Sequence, residues 1–258
     1  MNTILVSSHR RSGTHFLIDS LRKNIQAANF PNHARLPADF NLGSLFSKKE
    51  QIYDIFTKLI DSPGPSIIKS HLLPEECNIG SPRDKHEELI KEIFVQSKKL
   101  YISRDGKDVL ISLYKYLKPV CSFSDFIRQQ NDHIVKEIRS FQVYDSNRVS
   151  YWSYHINQWQ GIDSVKYLSF DALMNDFQET IHDILTTLGY DIPTLIEKPH
   201  IPKYLFWHAI QKKMNHFGLA RLPESSSVRP NKGSKTSGAL HFSESDLEFF
   251  LKYKLVTL

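Results

Sequence analysis

One segment, residues 7–21 (SSHRRSGTHFLIDSL), constrains the fold more than any other part of the sequence. Before it, the apolar run Thr3–Val6 suits a buried strand; after it, apolar residues recur at helical spacing, at Phe16, Leu17, Leu21 and Ile25. Gly13 lies where the connecting turn needs backbone freedom. Such a turn directs backbone N–H groups and the positive end of the helix dipole at one point. With Arg10 and Arg11, it predicts a site for an anion of the phosphate type.

This loop differs from the usual ATP- and GTP-binding sequence, GxxxxGK followed by Ser or Thr. Gly13 is followed directly by Thr14 and His15, no lysine follows the glycine, and the first glycine of the pattern is absent. The sequence therefore favours an anion loop of another kind over a metal-dependent NTPase.

The length and composition predict one α/β domain, residues 1–258. A chain of 258 residues that is 40% hydrophobic can bury one large core, and no segment is repeated or of low complexity. Short apolar runs suited to strands alternate with helical patterns, at Ser66–Ile68, Leu100–Ser103 and Val165–Ser169. This alternation predicts a central parallel sheet flanked by helices, with a P-loop-like nucleotide-binding topology.

The clearest predicted helix follows the strand Leu100–Ser103, the third along the chain when Thr3–Val6 is counted as the first. Asp105 is its expected N-cap, Pro119 ends it, and its apolar stripe consists of Val109, Leu110, Leu113, Tyr114 and Leu117. The other predicted helices are Lys48–Ile60, Lys85–Phe94, Ser124–Asn131, Tyr151–Trp159, Asp176–Leu188, Tyr204–Phe217 and Ser243–Tyr253.

Charge and cysteine content limit the classes of partner. A net charge of +5 favours anionic ligands, but no basic stripe is present, so we expect no nucleic-acid partner. Cys77 and Cys121 have no paired spacing, which predicts neither a disulfide framework nor a metal site and is compatible with a reducing compartment. We find no leader-like segment and no run of 18 apolar residues. The sequence therefore predicts a cytoplasmic protein without a membrane span.

Basic residues follow the predicted strands at their carboxyl ends, where parallel α/β sheets bind their ligands. Lys69 and His71 follow the second predicted strand, and Arg104 follows the third. Together with the anion loop, they predict a cationic site that contains one titratable base.

These motifs, in this order, resemble those of cytosolic-type sulfotransferases, which use 3′-phosphoadenosine 5′-phosphosulfate (PAPS). The family's [KR]SGTxxL loop is matched by residues 11–17, its KxH by residues 69–71, and its Arg, KDV and Ser signature by RDGKDVLIS at residues 104–112. The segments WSYHINQWQ and KYLSFDALMNDF resemble the family's middle region, and Lys232 and Gly233 resemble its C-terminal loop. The likeness spans nearly the whole chain.

The resemblance implies a reaction: in-line transfer of the sulfuryl group of PAPS to a hydroxyl or amine of a small-molecule or glycan acceptor, which leaves 3′,5′-adenosine bisphosphate (PAP). It assigns His71 as the general base, and Arg11 and Lys69 as cations that offset the charge developing during transfer. It implies no metal, since fixed cations replace magnesium.

The resemblance also implies a set of donor-binding residues. The backbone N–H groups of Ser12, Gly13 and Thr14 correspond to the 5′-phosphate site, Arg104 and Ser112 correspond to the 3′-phosphate site, and Arg11 is a further donor-binding residue of the loop. The remaining residues that it assigns to the donor are His15, Phe16, Phe170, Arg229, Lys232 and Gly233.

The sequence departs from the family pattern at two places. Arg11 stands where many members have Lys, and a permanently charged guanidinium binds oxyanions without acting as a proton donor. Asn231 stands where an Arg normally precedes Lys232, and Arg229 is the nearest replacement. Two other classes stay open, an inactive nucleotide-binding module and a magnesium-dependent P-loop kinase. The sequence identifies neither the acceptor nor the oligomeric state.

Overall fold

A five-stranded parallel sheet forms the centre of the chain in a computed structural model that describes residues 2–25, 40–129, 147–199 and 242–254. The strands are β1 (Thr3–Ser7), β2 (Phe40–Asn41), β3 (Ser66–Ser70), β4 (Lys98–Ser103) and β5 (Val165–Ser169), in the order β2-β3-β1-β4-β5. The central strand β1 pairs with β3 on one side and β4 on the other. The carboxyl ends of these three strands therefore meet at one edge of the sheet.

Helices connect the strands. They are α1 (Thr14–Asn24), a 3₁₀ helix (Leu42–Ser47), α2 (Glu50–Ile60), α3 (Pro74–Cys77), α4 (Lys85–Gln96), α5 (Gly106–Leu117), α6 (Phe123–Arg128), α7 (Arg148–Gln160), α8 (Phe170–Asn175), α9 (Phe177–Leu188) and α10 (Glu244–Tyr253).

The strands alternate their side chains between two cores. Leu5, Ile68 and Tyr101 point to the face covered by the 3₁₀ helix and by α2, α4, α5, α6, α7 and α10. Ile4 and Leu100 point to the opposite face, which α1, α8 and α9 cover. Because successive strand residues face opposite sides, both faces of the sheet are buried, as expected for a parallel sheet between helices.

The four predicted strands and the α/β fold are confirmed, with the second strand extended to Ser70 and the third begun at Lys98. Strand β2 was not predicted, because two residues carry no periodic pattern. Asp105 caps α5 as predicted, by accepting from the backbone N–H groups of Lys107 and Asp108. The helix predicted at Ser124–Asn131 is shorter and begins one residue earlier, at Phe123. The segment Tyr204–Phe217 lies outside the described residues.

Among the helices of residues 2–25, 40–129, 147–199 and 242–254, none has the length and apolar character needed to cross a bilayer.

Candidate active site

The loop between β1 and α1, residues 8–13, lies at the centre of the carboxyl edge of the sheet. Arg11 and Gly13 both have left-handed backbone conformations, with φ angles of 71° and 96°. Helix α1 has no side-chain cap and no acidic residue in its first turn. Its N-terminal amides and positive dipole end therefore suit an external anion.

Gly13 is in close contact with the ring of Phe170. A Cβ atom at position 13 would lie 2.2 Å from Phe170 Cδ2, so only glycine fits there. The same ring packs against the guanidinium of Arg104, whose Cζ lies 4.7 Å from the ring centroid. Residues that follow β1, β4 and β5 thus meet around one aromatic side chain, which joins three of the predicted site residues.

One face of α5 carries the next group of predicted residues. Arg104 folds back along the helix and pairs with Asp108, with 3.1 Å between Nη2 and Oδ2. Ser112 lies one turn beyond Asp108 on the same face, and its Oγ accepts a 3.1 Å hydrogen bond from Arg11 Nε. The Arg11 guanidinium also lies over the ring of Tyr116. Arg11, Arg104 and Ser112 are therefore lined up between the loop and α5.

Two buried polar atoms near the loop have no hydrogen-bond partner among the described residues: Ser12 Oγ and Arg104 Nε. A buried polar group without a partner costs about 1–3 kcal/mol, more when it is charged. An oxyanion bound between the loop and α5 would supply acceptor oxygens for these two groups. The donor set thus fits a phosphate group.

His71 lies beside the loop, immediately after β3. Its Nδ1 is 2.8 Å from the carbonyl oxygen of Ser8. Because a carbonyl oxygen can only accept, Nδ1 carries the hydrogen in this contact. The neutral ring therefore has its lone pair on Nε2, which is the tautomer that a general base requires.

The surroundings of His71 favour its neutral form. Burial lowers the pKa of His71 well below its ordinary value, and the charges of Lys69, Arg10 and His15 lower it further, while the hydrogen bond to Ser8 opposes the shift. Lys69 Nζ lies 3.4 Å from His15 Nε2 in the same group. The imidazole is thus uncharged at neutral pH and surrounded by basic side chains.

The structure gives two predicted residues unexpected neighbours. Phe16 lies in the core and packs edge-on against Phe177, with ring centroids 6.0 Å apart. Arg11 bonds Ser112, and Arg10 is the loop arginine whose charge acts on His71. The sequence does not indicate which arginine bonds Ser112 and which one acts on His71, because the two are adjacent and identical in type.

The predicted C-terminal loop residues, Arg229, Lys232 and Gly233, lie outside the described residues. A cavity of about 470 Å³ lies between α3, α4 and α7, and its lining contains none of the predicted site residues. Its lining residues are Pro74, Glu75, Asn78, Phe94, Asn157, Gln158, Gly161 and Ile162.

The whole chain was then compared with models of known protein families. The model of the sulfotransferase domain family matches residues 1–253. The chain belongs to the sulfotransferase family. Sulfotransferase 1A1 of Mus musculus is 23% identical to it over 195 residues. That alignment covers 74% of this sulfotransferase and 60% of the mouse protein, so the chain matches less than two thirds of its curated relative.

Solved sulfotransferase structures share the fold. Mouse sulfotransferase SULT7A1, complexed with PAP, has a TM-score of 0.57 and 18% identity, and the match covers 98% of this chain and 82% of that one. Retinol dehydratase in complex with retinol and PAP has a TM-score of 0.59 and 16% identity, and the match covers 98% and 80% of the two chains. Both similarities support the predicted P-loop-like topology.

Proposed function

We propose that this sulfotransferase transfers the sulfuryl group of PAPS to a hydroxyl or amine of an acceptor, with His71 as the general base. The observation that carries the proposal is the 2.8 Å contact between His71 Nδ1 and the Ser8 carbonyl. That contact gives the ring a free Nε2 lone pair beside the anion loop. A base next to a phosphate-type site is the combination that sulfuryl transfer needs.

The donor is proposed to lie along the loop and the adjacent face of α5. The backbone N–H groups of Ser12, Gly13 and Thr14 bind its 5′-phosphate at the uncapped N-terminus of α1. Arg104 and Ser112 bind its 3′-phosphate, and the hydrogen bond between Arg11 and Ser112 supports a place for Arg11 at the same end. Arg229, Lys232 and Gly233 remain predicted contacts of that phosphate. PAP in the structures of SULT7A1 and retinol dehydratase supports this choice of donor.

The proposed reaction is a single displacement at sulfur. The acceptor oxygen or nitrogen forms a bond to sulfur while its proton passes to Nε2 of His71. The bond between sulfur and the bridging oxygen breaks, and PAP leaves with that electron pair. Lys69 and the neighbouring basic residues offset the negative charge that develops on the leaving oxygen. Positioning and fixed charges supply the catalysis.

A small molecule with a hydroxyl group is the proposed acceptor, and a glycan is the alternative. Retinol dehydratase, which shares the fold, was crystallised with retinol in one complex and with androsterone in another. An acceptor screen with labelled PAPS distinguishes the two classes, because the label appears either in a small lipid-like or phenolic product or in a saccharide.

The deciding experiment is calorimetric titration with PAP, AMP and ATP, followed by a labelled-sulfate transfer assay. We expect PAP to bind at least about tenfold more tightly than AMP, because only PAP carries the 3′-phosphate. Equal affinities would contradict the assignment of the donor. Tight PAP binding without transfer to any acceptor would favour an inactive nucleotide-binding module, and activity abolished by EDTA would favour a magnesium-dependent kinase.

A further inference from the structure

Two fully buried polar side chains, Tyr101 of β4 and His155 of α7, lie behind the proposed base. The Tyr101 hydroxyl is 2.8 Å from His155 Nδ1. His155 Nε2 is 3.3 Å from the carbonyl oxygen of His71. The two side chains therefore connect the core of the sheet to the backbone of the residue that carries the base.

The directions of these hydrogen bonds follow from their acceptors. The His71 carbonyl can only accept, so His155 Nε2 carries the hydrogen and donates it. His155 Nδ1 then has the lone pair and accepts from the Tyr101 hydroxyl. The result is a continuous connection from Tyr101 through His155 to the backbone of His71, in which both ring nitrogens of His155 are satisfied.

The environment keeps this connection in one protonation state. The rings of His9 and Tyr151 pack against His155 with centroid distances of 5.7 and 5.9 Å. Burial lowers the pKa of His155 to about 4, so its ring is neutral at cellular pH. A neutral ring is required, because protonation of Nδ1 would remove the acceptor of the Tyr101 hydrogen bond.

Packing alone does not account for two buried polar groups at this position. Apolar residues of similar size fill a core without the desolvation cost of a hydroxyl and an imidazole. The two polar side chains add directional hydrogen bonds, and each bond fixes the orientation of the group that it contacts. His71 is held at two points, through its carbonyl by His155 and through its Nδ1 by the Ser8 carbonyl.

We propose that Tyr101 and His155 are positioning residues, whose buried hydrogen bonds hold His71 against the β1–α1 loop with Nε2 turned toward the acceptor. The inference rests on the proposed role of His71 as the base. It predicts that removing the connection alters the state of the His71 ring while the donor-binding groups along α5 stay in place.

The chain offers a matched pair of substitutions for the test. Tyr101→Phe removes one hydroxyl from the connection. Tyr167→Phe removes one hydroxyl from the register partner of Tyr101 on β5, and the Tyr167 hydroxyl is buried without a hydrogen-bond partner among the described residues. His155→Gln serves as the conservative variant, because its amide can both donate and accept.

The measurement is nitrogen-15 NMR of the histidine rings in the full chain without nucleotide, combined with calorimetric titration with PAP. For Tyr101→Phe we expect loss of the fixed Nε2–H pattern of His155 and a smaller fraction of His71 in the Nδ1–H form. The histidine signals of Tyr167→Phe should match those of the parent protein. The His155→Gln variant should keep most of the His71 ring in the Nδ1–H form of the parent. PAP affinity should stay within about twofold for all three, because none of them contacts the donor.

Unchanged His71 signals in Tyr101→Phe would overturn the proposal, and so would identical changes in Tyr167→Phe. A large loss of PAP affinity in Tyr101→Phe would also overturn it, since the residue would then support the whole site and not the base. The ring signals do not depend on turnover. Failure of the proposed reaction, seen as no sulfate transfer by the parent protein, is therefore a separate result.

Discussion

At the scale of single residues, His71 has one ring nitrogen, Nδ1, in a hydrogen bond and a lone pair on the other, Nε2. The bond from Nδ1 to the Ser8 carbonyl fixes the tautomer. Burial and the neighbouring cations then lower its pKa well below the ordinary value of 6.5. A lowered pKa weakens the base but favours its unprotonated form at neutral pH. For a reaction in which the base takes the acceptor's proton as the bond to sulfur forms, the availability of the neutral form is the first requirement.

Substitution of His71 should separate catalysis from donor binding. We expect His71→Ala to abolish sulfate transfer while PAP affinity stays within about tenfold of the parent protein, because the imidazole does not contact the phosphates. Arg104→Ala should weaken PAP binding by roughly 30-fold or more, since it removes a charge-assisted hydrogen-bond donor. Calorimetry with PAP and a labelled-sulfate assay measure both effects. Equal losses of affinity in the two variants would show that the roles are wrongly divided.

Gly13 is the residue of the loop that tolerates substitution least. Gly13→Ala should lower the free energy of unfolding by about 2–4 kcal/mol, because the new Cβ meets the Phe170 ring at 2.2 Å and the backbone has a positive φ. Urea denaturation measures the change, and Gly80→Ala is the control, since a Cβ at Gly80 meets nothing within 4 Å. Similar stabilities for the two variants would mean that the ring moves aside without cost.

At the scale of secondary structure, α5 organises the 3′ end of the proposed donor site. Asp108 and Ser112 lie four residues apart on one face of α5, and Arg104, which precedes the helix, pairs with Asp108. What the sequence does not predict is the partner of that face. The hydrogen bond between Ser112 and Arg11 joins residues 101 positions apart, and no local pattern encodes it.

Loss of the Ser112 hydroxyl should therefore have a ligand-specific effect. We expect Ser112→Ala to weaken PAP binding by roughly 10- to 100-fold, the size of one hydrogen bond to a charged group, and to leave AMP binding unchanged. Calorimetric titration of the same variant with the two nucleotides provides its own control. An equal loss for both would indicate that Ser112 supports the fold of α5 and does not contact the 3′-phosphate.

At the scale of the whole molecule, buried titratable groups make stability depend on pH. Burial lowers the pKa of His9 to about 3 and that of His155 to about 4, and the pKa of His71 is also lowered. Between these values and 6.5 the unfolded chain binds more protons than the folded one, so these groups destabilise the fold as the pH falls. Glu76 acts in the opposite direction, because burial raises its pKa to about 7.

The three histidines outweigh the single glutamate. We expect the free energy of unfolding to rise with pH between about 5 and 6, by roughly 1–3 kcal/mol per pH unit. Urea denaturation at several pH values measures this slope. His155→Gln should make it shallower, and Glu76→Gln should make it steeper by removing the opposing contribution. A slope of zero or of opposite sign would mean that these histidines are not kept neutral by the fold.

The parallel sheet and the edge that carries the site could be predicted from sequence, because strand patterning and the residues after each strand are local features. The motifs also predicted a site at His71, Lys69, Arg104 and the anion loop, and the structure brings the elements that carry these residues to one edge of the sheet. The hydrogen-bonded connection through Tyr101 and His155 could not be predicted. Both residues fit an apolar core pattern, and their polar contacts arise only when β4 and α7 pack together.

Three contacts of the proposed site are made by the six residues of the β1–α1 loop: Ser8 with His71, Arg11 with Ser112, and Gly13 with Phe170. The three contacts are made with different parts of the fold, and the loop residues that make them are separated by two residues and by one residue of the chain. Inserting or deleting one residue between Ser8 and Gly13 would put at least one of them out of step with its partner. The length of this loop is therefore more tightly constrained than the identity of most of its residues.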